Sequence, residues 1–510
     1  MSYQVSNKRL VKNTAFLYAR TLILLVLGVF TSRITLQALG VDNYGIVNVV
    51  SGFVAMFTLV NSSLTGACQR FLTFELGKEE GDIRKIFNAS FYIHVFLSLL
   101  IIIIAETFGL YFINNHLNLP PGRGTAVQWV FQCSIASLVI SLINVPYNAM
   151  IIAYEKMKIF AYISLLEGAL KLAVVLILLL AKTDVLILYA VLGLVSSIII
   201  RAVFQIYCRR TFKNTIKIGI RPDREVVRNI FGFAGWSFIG NAATLFSNQG
   251  VNIVLNIFSG VAVNAARGLA SMIESVVVSF VDNFTTALNP QITKAYASNE
   301  REQMYSLVHL GMRISFFFMI IISIPVIIAA PQLLSIWFTE VPKYTVIFVR
   351  LTLCVATIHA LGKPFLTVLL ATGDIKTYQL VVGTITFLNL PLSYTALELG
   401  YGPISVYIIA LIIVLCTFFI RLLFVKHKAS MAIEHTIKII LFRFSCISIT
   451  SLIASWGISK LINVDNIWML GLYLFISALT ICMIVFALGL NIPEKKHILD
   501  KVKPYLKKRT

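Results

Sequence analysis

Apolar stretches about twenty residues long, the length that a hydrocarbon core of about 30 Å demands of a helix, recur along this chain from one end to the other. Lipid offers no partner to an open backbone amide, so segments of this kind cross as helices with their hydrogen bonds satisfied internally. Of 510 residues 58% are hydrophobic and 13% are charged, more apolar side chain than a water-soluble core of this size absorbs. The pattern predicts an all-α polytopic membrane protein with about 14 transmembrane helices. They are expected near 12–38, 44–68, 86–113, 126–149, 159–181, 185–207, 230–257, 261–288, 306–330, 345–371, 377–397, 403–425, 437–459 and 467–489. No cleavable signal precedes the first span, which is expected to serve as its own targeting segment.

The formal charge of +21 is distributed by side. With the N-terminus inside, one set of connections carries Lys8, Arg9 and Lys12, then Arg70, Lys78, Arg84 and Lys85, then Lys156 and Lys158. The same set continues through the loop at 209–229, through Lys294, Arg301, Lys376, Lys426, Lys428 and Lys438, and into the tail that ends in Lys507, Lys508 and Arg509. The opposite set offers Arg123, Lys182, Lys343 and Lys460. This is the positive-inside alternation, which predicts cytoplasmic termini and reads the basic tail as a topology signal or lipid-surface contact, with no nucleic acid as partner. The seven cysteines lie scattered through apolar spans with no CxxC pair and read as small core hydrophobes. Neither a phosphate-binding GxxxxGK[ST] loop nor an HExxH zinc motif occurs, so an intrinsic ATPase or zinc hydrolase has no support, and no cofactor is expected.

Landmarks in the first half recur in the second. Gly40 corresponds to Gly260, Gln69 to Gln291, and VPYNAMIIAYEKMK (145–158) to KPFLTVLLATGDIK (363–376), at offsets of 220, 222 and 218. The expected organisation is an N-terminal lobe of helices 1–6 (1–208), a basic cytoplasmic linker (209–229), a C-terminal lobe of helices 7–12 (230–425), and helices 13–14 with a basic tail (426–510). Repeats of six spans re-enter the membrane in the same orientation, which predicts two lobes related by a pseudo-twofold axis along the membrane normal, with a site at their interface. The longest outward connections, near 114–125 and 331–344, are about a dozen residues and leave no room for an outer catalytic domain, so the chain is not expected to be an enzyme.

Ions in spans are expensive, about 2.5–3.5 kcal/mol each at the centre of a helix on insertion scales. Span eight nonetheless places Arg267, Ser271, Glu274, Ser275 and Asp282 within an arc of about 100°. Span seven aligns Ser237, Asn241, Thr244, Asn248 and Asn252 on one face. Two such stripes read as the lining of a hydrated cavity. Arginine forks suit phosphate, so Arg20 and Arg267 are candidates to hold an anionic headgroup, with Asn241, Asn248 and Lys171 as further substrate contacts. Glu274, Asp282 and Glu167 are candidates to bind a coupling Na+ or H+; Glu167 and Lys171 also have the spacing and order of a plain helical ion pair. Arg33, Arg201 and Arg350 lie nearer span ends and read as snorkelling to headgroups, while His94 and His359 read as satisfied core histidines.

The six-plus-six-plus-two pattern, the segment TSRITLQALGVDNYGIVNVVSGF, the loop QRFLTFELGKEEGD and the turn PYNAMIIAYEKMK resemble the Wzx-type polysaccharide flippases of the multidrug/oligosaccharidyl-lipid/polysaccharide exporter superfamily. The resemblance implies translocation of undecaprenyl-pyrophosphate-linked oligosaccharide across the bacterial inner membrane for O-antigen or capsule synthesis. It also implies alternating access, a cationic central cavity that Arg20 and Arg267 fit by position, and coupling to an ion gradient. Its partners would be membrane lipid and a polysaccharide polymerase complex, with the chain itself a monomer. The alternatives are a cation-coupled multidrug exporter of the same superfamily, expected to favour carboxylates, aromatics and twelve spans, and a membrane polysaccharide polymerase, expected to carry a long outward loop.

Overall fold

The structure, a computed structural model, describes residues 7–55, 57–111, 123–213, 215–216, 219, 222–337, 341–462, 464, 466–490 and 495. The basic tail, much of the outward connection near 114–125, Lys217 and Arg221 of the linker, and the side chain of Arg33 lie outside that description. Among the described residues there are helices and turns and no strand.

In chain order the helices are α1 (Asn7–Ala55), α2 (Thr58–Gly77), α3 (Ile83–Ile104), α4 (Gly124–Ala153), α5 (Met157–Leu180), α6 (Val185–Thr211), α7 (Arg224–Ala297) and α8 (Arg301–Ile328). They continue with α9 (Ala330–Trp337), α10 (Thr345–Thr372), α11 (Lys376–Phe387), α12 (Asn389–Glu398), α13 (Ile404–Ala429), α14 (Glu434–Lys438), α15 (Ser445–Leu461) and α16 (Ile467–Ile484). Among the described residues, ten helices are long and apolar enough to cross a membrane by length and composition. The other four expected spans are carried by α1 with α2 and by the 74-residue α7, each of which turns at a glycine.

Those glycines are Gly40 (φ 73, ψ 168) and Gly260 (φ 79, ψ 178), the pair matched in the two sequence halves. No atom crowds either site, so glycine is needed for its left-handed backbone and not for space. The expected turn after span one and its counterpart after span seven are therefore the same device. Pro146 and Pro364 likewise both fall inside helices, α4 and α10.

Helix starts in the loops are capped by short acidic or amide side chains. Asp82 accepts from Lys85 N, Asp184 from Leu186 N and Ile187 N, Asp223 from Glu225 N and Val226 N, and Asn466 from Met469 N. Each cap satisfies donors that the first turn leaves open. The outer faces are apolar: Ile103 is 60% exposed, Ile253 61% and Phe475 67%, exposure that suits lipid and not water.

Two compact units emerge. Unit 1 comprises residues 1–242 with 286–304 and 370–380; unit 2 comprises 243–285, 305–369 and 381–510. The core of unit 1 gathers Cys68, Leu72, Phe87, Tyr147, Met150 and Cys208 with Ile230, Phe233 and Ile375. In unit 2, Val281, Met319, Phe348, Leu353 and Tyr407 pack together. The last helices are bound to α8 of unit 2 by stacked Phe316 and Phe444 rings (4.0 Å) and by Arg313 Nη2, which donates to Gly489 O at 3.0 Å.

Replacing Gly40 or Gly260 by alanine forces a Cβ into the left-handed region at a cost of about 1–2 kcal/mol, so each variant should unfold at a lower temperature in detergent. Gly66→Ala, at an open helical position, should instead gain about 1 kcal/mol. Thermal melts followed by tryptophan fluorescence check the opposite signs.

Candidate functional site

Helices α1, α2, α4, α5 and α6 of unit 1 line a half-open cavity of about 850 Å³. Each contributes a polar row at helical spacing. On α4 the row is Ser134, Ser137, Ser141, Asn144 and Asn148, successive steps of three and four residues that stay on one face. From α6 come Gly193, Ser197 and Arg201, and from α5 Ser164, Glu167 and Lys171. From α1 come Arg20, Thr31 and Thr35. Gly168 is the reason that α5 and α1 approach so closely: a Cβ there would meet the Leu24 side chain at 2.6 Å, one turn along from Arg20.

The charges in this wall are few and unequal. Lys171 Nζ pairs with Glu167 Oε1 at 2.7 Å within its own helix, as the i,i+4 spacing predicts. That leaves Arg20 and Arg201, a net charge of two positives among the described lining residues. The Arg20 guanidinium lies over the Phe160 ring at 4.8 Å, which fixes its plane. Four buried polar atoms in the wall, Arg20 Nε, Arg201 Nη1, Asn144 Oδ1 and Asn148 Oδ1, find no hydrogen-bond partner among the described residues.

The candidates therefore divide between the units. Arg20, Glu167 and Lys171 meet in this cavity. Asn241 also belongs to unit 1, where its Nδ2 donates to Ser63 Oγ at 2.9 Å. Unit 2 holds Asn248, Arg267, Glu274 and Asp282. There Arg267 Nη2 donates to Asn248 O at 3.3 Å, Asp282 forms an ion pair with Lys363, and Glu274 interacts electrostatically with both Arg267 and Lys363. Gly362 leaves room for the buried Arg421 guanidinium, which a Cβ would strike. Unit 2 thus has its own group of opposed charges, Arg267 and Lys363 with the carboxylates of Glu274 and Asp282.

Sequence reasoning missed Asn144 and Asn148 and assigned Arg201 to headgroup contact; the structure turns Arg201 inward, on the same face of α6 as Ser197. Arg350, also assigned to headgroups, donates from Nε to Ile327 O at 3.0 Å. The signal that could have found the cavity was the serine and asparagine row of span four, which has the periodicity recognised in spans seven and eight. His94 is fully buried with Nδ1 2.7 Å from Ser90 O, a core histidine by location. No group of three or more His, Cys, Asp or Glu side chains gathers as a metal site among the described residues.

Comparison with known proteins supplies the family. The profile described as polysaccharide biosynthesis protein matches residues 10–296, more than half of the chain. The chain belongs to that family. A second profile, MatE, matches residues 233–395. Its fold is shared with a multidrug resistance MATE family transporter in an outward-facing conformation (TM-score 0.69, 15% identity, 82% of this chain and 96% of that one). A MATE in the straight conformation gives a TM-score of 0.72 at 14% identity, over 83% and 96%. A MOP superfamily transporter from Pyrococcus furiosus, described as having a binding pocket of reverse polarity that suggests a different function, gives 0.68 at 14%, over 82% and 96%. No curated protein matches the chain.

The row on α4 should be wet. In a cysteine-free background, cysteines at Ser137 and Ser141 should react with a membrane-impermeant, water-soluble thiol reagent, whereas one at Leu142, fully buried in the contact with Ile101 of α3, should not. Equal reactivity at the three positions would mean that the cavity wall is drawn wrongly.

Proposed function

We propose that the chain is a flippase that moves undecaprenyl-pyrophosphate-linked oligosaccharide repeat units across the bacterial inner membrane by alternating access, for surface polysaccharide synthesis. The observation that carries this reading is the composition of the cavity: three cationic side chains, Arg20, Lys171 and Arg201, against the single carboxylate of Glu167, in a wall of hydroxyls and amides. A pyrophosphate diester carries two negative charges, which Arg20 and Arg201 would match, and sugar hydroxyls would exchange their water for the serine, threonine and asparagine side chains. Stripping a polar group of water without replacement costs several kcal/mol, so a wall of fixed partners removes most of the barrier. The lipid tail would stay in the bilayer. Coupling is assigned to the carboxylates of unit 2, where Glu274 and Asp282 compete for Arg267 and Lys363 and could exchange those partners for Na+ or H+.

A second reading has its own support: the MatE match and the multidrug MATE structures favour a cation-coupled exporter of small molecules. Pocket polarity is the property on which the Pyrococcus furiosus transporter is set apart, and polarity separates the two readings here as well. A site for organic cations would carry net negative charge, opposite to this one.

Proteoliposomes loaded with fluorescent lipid-linked oligosaccharide test the proposal. The protein should move the label between leaflets, faster with a Na+ or H+ gradient imposed. Arg20→Gln and Arg201→Gln should each lower the rate about tenfold or more, the worth of one charge-assisted hydrogen bond of about 1.5–3 kcal/mol. Efflux of ethidium without movement of the oligosaccharide would establish the exporter instead.

A further inference from the structure

Two parts of the second sequence half, residues 286–304 and 370–380, belong to unit 1, and the way each is held there is specific. Glu155, just past the end of α4, has its carboxylate wholly buried. Lys294 Nζ donates to Glu155 Oε1 at 2.8 Å and Gln291 Nε2 to Oε2 at 3.4 Å, both from the end of α7. Its backbone oxygen accepts from Asn13 Nδ2 at 3.3 Å. Glu155 adopts φ 56, a left-handed backbone that is costly for a glutamate. The matching position in the second half, at the same offset of 218 that relates Pro146 to Pro364, is Gly373, with φ 81. Here the partner comes from the first half: Arg70, near the end of α2, donates from Nε to Leu370 O at 3.1 Å and from Nη2 to Ala371 O at 2.7 Å. A Cβ on Gly373 would stand 2.7 Å from Arg70 Nη2. Phe71 and Phe74 rings flank the guanidinium at 4.6 and 4.5 Å. Between the two sites the ends of α2 and α7 touch, since a Cβ on Gly77 would lie 2.7 Å from Lys294 O.

These are reciprocal contacts. In each half, the arm that follows the glycine turn (Gly40 or Gly260) ends in a cationic side chain that enters the loop of the other half, and both loops lie on the face that carries the basic connections. The bonds are polar, and polar bonds suit an interface that must open. A buried ion pair roughly breaks even against its own desolvation, so separating the partners into water costs little, whereas an apolar seam would resist wetting.

We propose that Glu155 with Lys294, and Arg70 with the 370–373 loop, form a two-part latch that closes the basic-loop face of the transporter and breaks once in every transport cycle. The cavity floor at Asn148 lies one turn and a half before the end of α4, so release of the loop would open that floor. The inference rests on the transporter fold and not on the cargo: loss of oligosaccharide movement would leave the following test untouched.

A single cysteine at Ser141 in a cysteine-free background reports access from either side, with an impermeant maleimide added to right-side-out or inside-out vesicles. The latched protein should label from the side opposite the basic loops. The double variant Glu155→Gly/Lys294→Gln removes both charges of the buried pair together while relaxing the left-handed backbone, so no buried charge is left unpaired; Gly373→Ala displaces Arg70 from the second site. Each should raise labelling from the basic-loop side at least tenfold and lower it from the opposite side. Three results overturn the latch: a parent labelled from the basic-loop side, folded variants with unchanged labelling, or variants that label faster from both sides, which marks general loosening.

Discussion

A polar group in a bilayer must find a partner or keep its water, and most of this structure follows from that constraint. The backbone answers it with helices, whose amides are paired within the segment. The side chains answer it in two ways. Glu155 and Lys294 find each other in a dry contact, while Arg20, Arg201, Asn144 and Asn148 keep atoms that no described residue satisfies. The first arrangement closes a space and the second defines one.

The difference has consequences for chemistry. A satisfied pair such as Glu167 with Lys171 is half-exposed and adds little to stability. The wall has a sign: Arg20, Lys171 and Arg201 outnumber the one carboxylate, Glu167, so the described lining of this cavity is net positive. Unit 2 is different in kind. Its charges are opposed and near balance, with Asp282 on Lys363 and Glu274 between Lys363 and Arg267, an arrangement suited to exchanging partners rather than to holding an anion. Cargo and coupling ion can thus be served by separate groups within one chain.

Much of the fold was legible from sequence because hydropathy, loop charge and the duplicated landmarks are local signals. Gly40 and Gly260 could be matched by eye, and the structure gives both the same left-handed turn. The candidate site was read less completely. The stripe of span seven stood out beside the charged one of span eight, while the row from Ser134 to Asn148 has no charged neighbour on its own helix, and serine and asparagine are common enough in transmembrane helices to pass as packing residues. Arg201 looked like a snorkelling residue because reach cannot be told from direction in one dimension. The contact of Glu155 with Lys294 was invisible for another reason: its partners lie 139 residues apart, and each reads as an ordinary loop charge.

The most direct test of the central claim is to see what occupies the cavity. Cryo-electron microscopy of the protein in nanodiscs, with lipid-linked oligosaccharide bound, should place the pyrophosphate between Arg20 and Arg201 with the sugar along the row on α4. Acyl chains packed against those arginines, or a pyrophosphate bound elsewhere with the cavity dry, would contradict it.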